Sequence, residues 1–176
     1  MKRFTAILMM VALLGSFSCK KSDDDGVIDP ITGVQVGNQA IDFIETAFPG
    51  LSFTLSSLRG KVILLNLSAM WCGPCQSEAG ELMDIYEKYK DQGFEIVQCI
   101  FEDEDGQATD MEDLGRWIAR FGITFTVVND ADDSTVNAYE VSYIPLNLVI
   151  DRDFVIRYRA SGFSRTAIEN MINSLL

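Results

Sequence analysis

Between residues 51 and 55 the chain alternates apolar and polar side chains, the period-two signature of a half-buried strand. The next apolar run, 62–67, reads Val-Ile-Leu-Leu-Asn-Leu and suits a central strand covered on both faces. Beyond it the period lengthens. Ala79, Leu82, Met83, Tyr86 and Tyr89 recur at helical spacing until Gly93 offers a stop. Residues 94–101 return to strand composition, and Asp110 is placed to cap a helix carrying Leu114, Trp117, Ile118 and Phe121 as far as Gly122. A short strand is expected over 125–128, then a small helix capped by Asp132 or Asp133 and ending near Tyr139. Runs 146–150 and 154–158, joined by Asp151-Arg152-Asp153, read as a hairpin. Ser164 opens a last helix with the stripe Ile168, Met171, Ile172 and Leu175. Strands alternating with helices, then a hairpin and a closing helix, predict an α/β fold: one central mixed sheet with helices on both faces.

The first 36 residues follow a different logic. Lys2 and Arg3 precede an apolar run over 4–17, too short to span a bilayer but sized as a secretory h-region. The run ends in Gly15-Ser16-Phe17-Ser18-Cys19, which resembles a bacterial lipoprotein signal. Residues 1–18 are therefore expected to be a signal peptide and Cys19 the lipidated first residue. Ser16 stands where such signals usually have leucine, and a non-lipidated signal cut near Ser18 is the alternative. Lys20-Lys21-Ser22-Asp23-Asp24-Asp25-Gly26 has nothing apolar to bury, so 19–36 is expected to be a flexible acidic tether and 37–176 the folded domain. The lysine-then-acid order is also similar to export signals of surface lipoproteins in some Gram-negative bacteria. That resemblance implies a protein lipid-anchored in the cell envelope, at the periplasmic face or the cell surface.

Composition then narrows the chemistry. Fourteen basic against 26 acidic residues give a formal net charge of -12, which disfavours nucleic-acid partners. There is no histidine. Ser-His-Asp and Cys-His catalysis, His-ligated zinc or copper and haem-His ligation are thereby excluded.

Cysteine remains. Cys72 and Cys75 fall between a buried strand and a helix, the setting in which a C-x-x-C pair reads as redox-active. Backbone N–H groups and the dipole at a helix N-terminus stabilise a thiolate, lowering a cysteine pKa from ~8.5 into the range of about 3.5–7.5. Cys72 is expected to be the exposed nucleophile, and Cys75, a turn deeper, to resolve the mixed disulfide. Pro74 suits a first helical turn. A four-sulfur zinc site would need a second pair, which Cys99 and Cys19 do not form, so no metal and no cofactor is expected. Cys99, inside an apolar strand, reads as a small buried hydrophobe. The acidic loop after it lacks an oxygen ligand at Phe101, the first position of a calcium loop.

Trp71-Cys72-Gly73-Pro74-Cys75 is the thioredoxin active-site sequence, and from about Gly37 to Gly162 the chain resembles the exported TlpA/ResA-type thiol–disulfide oxidoreductases of the redoxin group. The resemblance also rests on residues 55–62, Asp103 and the stretch 139–151. It implies a thioredoxin-like fold, with Pro145 a cis-proline packed against the disulfide and Ile144 offering its backbone to an extended substrate segment. Tyr143 would border the same groove and Trp71 would shield the sulfurs. It also implies that Glu78, one helical turn past Cys75, assists proton transfer at the thiols. Asn66 departs from the pattern, because thioredoxin has an acid there; Ala79-Gly80 departs too, since a proline often follows the family's glutamate. The implied function is reduction of disulfides in other exported proteins, cytochrome c maturation included, fed by a membrane electron donor. Two rivals remain: a peroxiredoxin-like peroxidase, although Ala69 stands where such enzymes carry threonine, and a non-enzymatic surface binding module.

Overall fold

The structure is a computed structural model that describes residues 31–176. The expected signal peptide, Cys19 and the acidic part of the tether lie outside the described residues. Strands β1 (Ile44–Ala47) and β2 (Leu51–Thr54) precede β3 (Val62–Ser68) and helix α1 (Gly73–Tyr89). Then come β4 (Phe94–Ile100), α2 (Met111–Phe121), β5 (Thr126–Asn129) and α3 (Ser134–Ala138), followed by β6 (Leu146–Ile150), β7 (Ile156–Ser161) and α4 (Arg165–Leu175). The sheet order is β2-β1-β5-β4-β3-β6-β7. β3 runs parallel to β4, and β4 to β5, while β6 and β7 form the expected antiparallel hairpin on the other side of β3.

All seven residues of β3 are buried, which explains its nearly unbroken apolar run. Alternation still divides them by face. Val62 and Leu64 join Ile96, Ile100 and Val149 beneath Leu82 and Ile85 of α1, Leu114 and Trp117 of α2, and Ile168 and Ile172 of α4. Ile63, Leu65 and Leu67 face the other way, toward Val136 beside Tyr139, Phe154 and the N-terminal Val34 and Ala40. Helices thus cover both faces, three against one.

Several local features depart from expectation. The folded unit reaches back past residue 37: Thr32 bridges Gln39, Gln39 bridges Val155, and Val34 is buried. β1 escaped the pattern because its first residue, Ile44, is 71% exposed and only Ala47 is buried. It is joined to β2 across a Phe48–Pro49 cis peptide and Gly50, whose φ of 119° requires glycine. At α3 the two expected aspartates close the helix only in part. Asp133 occupies the cap position with φ 60° and makes no capping bond, and Asp132 accepts only from Ser134 N. The amides of Thr135 and Val136 are instead held by buried Asp130, at 3.0 and 2.8 Å. Ser164 likewise precedes α4 without a side-chain cap, whereas Asp110 caps α2 in a reciprocal box with Asp113.

Candidate active site

The central strand β3 ends at Ser68, and after four intervening residues α1 begins at Gly73, so the sheet delivers the Cys-x-x-Cys segment to a helix N-terminus. Cys72 is the N-cap of α1, and its sulfur accepts the backbone N–H of Cys75 at 3.2 Å. Pro74 falls in the first turn, where its missing N–H costs nothing. Cys72 and Cys75 are joined in a disulfide with their Cα atoms 5.2 Å apart. The expectation of an exposed nucleophile needs correction: Cys72 is only 3% exposed and Cys75 1%. Ala69, Phe101 and Ile144 pack against the pair, while Trp71, half exposed, borders it with its indole N–H donating to Glu102.

Access comes through a cleft of about 320 Å³ lined by Trp71, Cys72, Gly73, Pro74, Ser142, Tyr143 and Ile144. Cys72 reaches this cleft and Cys75 is absent from its lining, so the asymmetry between the two sulfurs survives even though both are buried. Tyr143, 76% exposed, forms the outer lip. The Ile144–Pro145 peptide is cis, and Pro145 is buried with its carbonyl accepting from Gly162 N. Among the described residues, neither backbone group of Ile144 has a hydrogen-bond partner, which leaves both open to an extended segment.

Glu78 does return to the buried side of α1 and is 2% exposed. Its Oε1 accepts from Asn66 Nδ2 at 2.7 Å, while Oε2 has no partner. Burial pushes its pKa up from 4.5 to about 7, with the side chain of Asn147 pulling the other way by less. The carboxyl therefore changes charge near neutral pH, the property a proton carrier needs. Glu78 also lines a second cleft, with Pro74, Ser77, Glu81, Phe163 and Arg165.

Sequence reasoning missed the polar floor beneath this carboxyl. Asn66, Ser68, Gln98 and Asn147 are all buried, and each interrupts an otherwise apolar strand, which was the available signal. Cys99 is buried, and desolvation raises its thiol pKa, the neighbouring Asp130 adding to the rise. Glu45, Asp130 and Asp132 also converge, within 4.8 Å. Their oxygens are engaged in holding α3: Asp130 and Asp132 on backbone amides, Glu45 on the Thr135 hydroxyl.

The AhpC/TSA family profile matches residues 36–159. A thiol-disulfide oxidoreductase ResA of Geobacillus kaustophilus (strain HTA426) is 33% identical over 145 residues, 82% of this chain and 80% of that protein. A crystal structure assigned as a thiol:disulfide interchange protein DsbE from Chlorobium tepidum superposes with a TM-score of 0.72 at 27% identity, covering 81% of this chain and 99% of that one. A solution structure assigned as a protein disulfide isomerase from Bacteroides thetaiotaomicron gives 0.71 at 29% identity, covering 81% and 91%. With the family matched across most of the described chain and a Cys72–Cys75 disulfide at the head of α1, the chain belongs to the AhpC/TSA family, among its thioredoxin-like thiol–disulfide oxidoreductases.

Proposed function

We propose that this protein is an exported, lipid-anchored dithiol reductase acting on disulfides in other exported proteins. The observation that carries the reading is the Cys72–Cys75 pair at the N-terminus of α1, facing the unpaired backbone of Ile144 across one cleft. In the reduced enzyme, the Cys72 thiolate attacks one sulfur of a client disulfide held against Ile144. A Cys72–client bond forms as the client's S–S bond breaks, and its other sulfur leaves as a thiolate that takes a proton. Cys75 gives its proton to ionised Glu78 and attacks Cys72. That step closes the Cys72–Cys75 disulfide as the Cys72–client bond breaks, and the second client sulfur leaves as a thiolate that takes the proton from Glu78. Two electrons have passed from the enzyme to the client. A membrane electron donor returns them, because an exported compartment is oxidising.

The Gly73-Pro74 pair is that of thioredoxin, a reductant at about -270 mV, and supports this direction of flow. The basic start, the apolar run and Cys19 support export and lipid anchoring, and the lysine-then-acid stretch after Cys19 supports a Gram-negative envelope. Relatives named ResA and DsbE support a place among thiol–disulfide oxidoreductases, and the resemblance over residues 37–162 makes exported thiol proteins, immature cytochrome c included, the candidate clients. The test is catalysed reduction of insulin disulfides by the dithiol form. Parent protein should turn over, and Cys72→Ser should lose all catalysis. Peroxide consumption without insulin reduction would favour a peroxidase, and inactivity in both assays would leave a binding module.

A further inference from the structure

Three strands carry one amide side chain each at the same level of the sheet. Asn66 of β3 pairs in register with Gln98 of β4 on one side and Asn147 of β6 on the other. All three lie on the face that α1 covers, since they share the alternation of Leu64, Ile96 and Val149. The row is hydrogen bonded throughout. Trp117 Nε1 donates to Gln98 Oε1 at 2.8 Å, and Gln98 Nε2 donates to Asn66 Oδ1 at 3.0 Å. Ser68 Oγ donates to the same Oδ1 at 2.6 Å. Asn66 Nδ2 then donates to Glu78 Oε1 at 2.7 Å and to Asn147 Oδ1 at 3.1 Å, and Asn147 Nδ2 donates to the carbonyl of Gly162 at 3.1 Å.

The two ends of this row fix its sense. An indole N–H can only donate, so Gln98 must turn its oxygen to Trp117 and its NH₂ to Asn66. A backbone carbonyl can only accept, so Asn147 must turn its NH₂ to Gly162 and its oxygen to Asn66. Asn66 is thus constrained from both sides to present Oδ1 to Gln98 and Nδ2 to Asn147 and Glu78. A flipped Asn66 would place donor against donor on the Gln98 side and an oxygen against the carboxylate. Both lone-pair directions of Oδ1 and both hydrogens of Nδ2 are already used, so the amide has no freedom to turn.

We propose that Asn66 is the positioning residue of Glu78: its amide, oriented through Gln98 and Ser68, holds Oε1 and leaves Oε2 as the oxygen that takes and releases the active-site proton. This deepens the function proposed above and rests on its assignment of proton transfer to Glu78. Oε2 is the carboxyl oxygen with no partner, and Glu78 borders the cleft formed with Pro74, Ser77 and Arg165. As an obligate donor to Oε1, Asn66 favours the ionised carboxyl, acting together with the Asn147 side chain that also opposes the rise imposed by burial. Other titratable or charged groups around Glu78 are Cys75 and Glu81 on α1, Tyr158 on β7 and Arg165 on α4.

The experiment is a pH titration of the Glu78 carboxyl carbon by NMR in the oxidised protein, with the signal assigned by its loss in Glu78→Gln. Asn66→Leu removes a hydrogen bond to a charged group and should raise the midpoint by about one pH unit or more. Gln98→Met keeps length and volume, frees the Asn66 amide and should raise the midpoint by less. The double variant should match Asn66→Leu alone, because Gln98 acts only through Asn66. A midpoint unmoved in folded Asn66→Leu, or shifts that simply add, would overturn the proposal. Should Asn66→Leu fail to fold, Gln98→Met decides alone, a rise supporting the proposal and an unmoved midpoint refuting it. A purely structural role would lower Tm in these variants without moving the midpoint. The titration uses no client, so failure of insulin reduction would sink the proposed function while leaving this result standing.

Discussion

Glu78→Gln should make the protein more stable at neutral pH, although it removes a charged residue from the active site. The carboxyl is 2% exposed, and its pKa stands at about 7 when folded against 4.5 as the ordinary value. Between these two values the folded chain binds a proton that the unfolded chain has released. Unfolding free energy therefore falls as pH rises through this window. Below about 4.5 both states are protonated and above about 7 both are ionised, so the group's effect is flat outside it. The gap corresponds to about 3 kcal/mol lost across the window, an upper bound because relaxation around the charge reduces it. Glutamine presents its oxygen to Asn66 Nδ2 as the acid does and puts an uncharged NH₂ where Oε2 stood, so it mimics the protonated form. Urea unfolding of oxidised parent and Glu78→Gln from pH 4 to 8 reads the difference directly. Burial also raises Glu45 and Asp130, but those titrations are common to both proteins and cancel. The two stabilities should nearly coincide at the acid end and diverge toward pH 7, the variant being the more stable. Parallel curves would refute the reasoning and show that Glu78 is hydrated or otherwise compensated in the folded state.

Other elements give sharper local tests. Asp130→Ala strands the buried amides of Thr135 and Val136 and should cost about 1–3 kcal/mol, measured by urea unfolding. Asp133→Gly should leave stability near that of the parent, since Asp133 makes no capping bond and its φ of 60° suits glycine. At α2, hydrogen bonds from the Asp113 and Glu112 amides hold the Asp110 carboxyl below its ordinary pKa. Its stabilising effect is present above the unfolded value and lost as pH falls through the lowered folded one. Thermal melts of Asp110→Ala and parent should therefore differ at neutral pH and converge in acid. Cys99, fully buried with a raised pKa, should resist a thiol reagent in the folded reduced protein while Cys72 reacts. All the thiols should react once the chain is unfolded.

The long buried strands and the main helices were legible because burial is a property of whole runs. Residues 62–67 and 94–101 announced β3 and β4, and the 3.6-residue spacing from Ala79 to Tyr89 announced α1. β1 was not legible, because a four-residue strand that buries only Ala47 imposes no period on its sequence. For a related reason the α3 cap was only partly placed, since Asp132 takes one amide and Asp130 the next two. Among Asp130, Asp132 and Asp133 the sequence shows three equivalent carboxylates, and only the return of the chain decides which one meets the free amides. At the active site the motif pointed to both cysteines, but not to their burial. That depends on Phe101 and Ile144 packing against the pair, the latter from a segment about seventy positions away.

Asn66 shows most clearly what a single position could and could not say. Compared with thioredoxin it looked like a loss, an acid replaced by an amide. In three dimensions the carboxyl has moved rather than vanished: Glu78 on α1 is the buried acid, and Asn66 on β3 is its partner at 2.7 Å. An acid at both places would set two carboxylates within hydrogen-bonding distance and force one to stay protonated. With a single acid, the amide row from Trp117 to Gly162 can be satisfied along its whole length, because each member has a fixed donor or acceptor role. In this cluster Oε2 of Glu78 alone stands outside that row without a hydrogen-bond partner, which is why the proposed proton transfer is assigned to it.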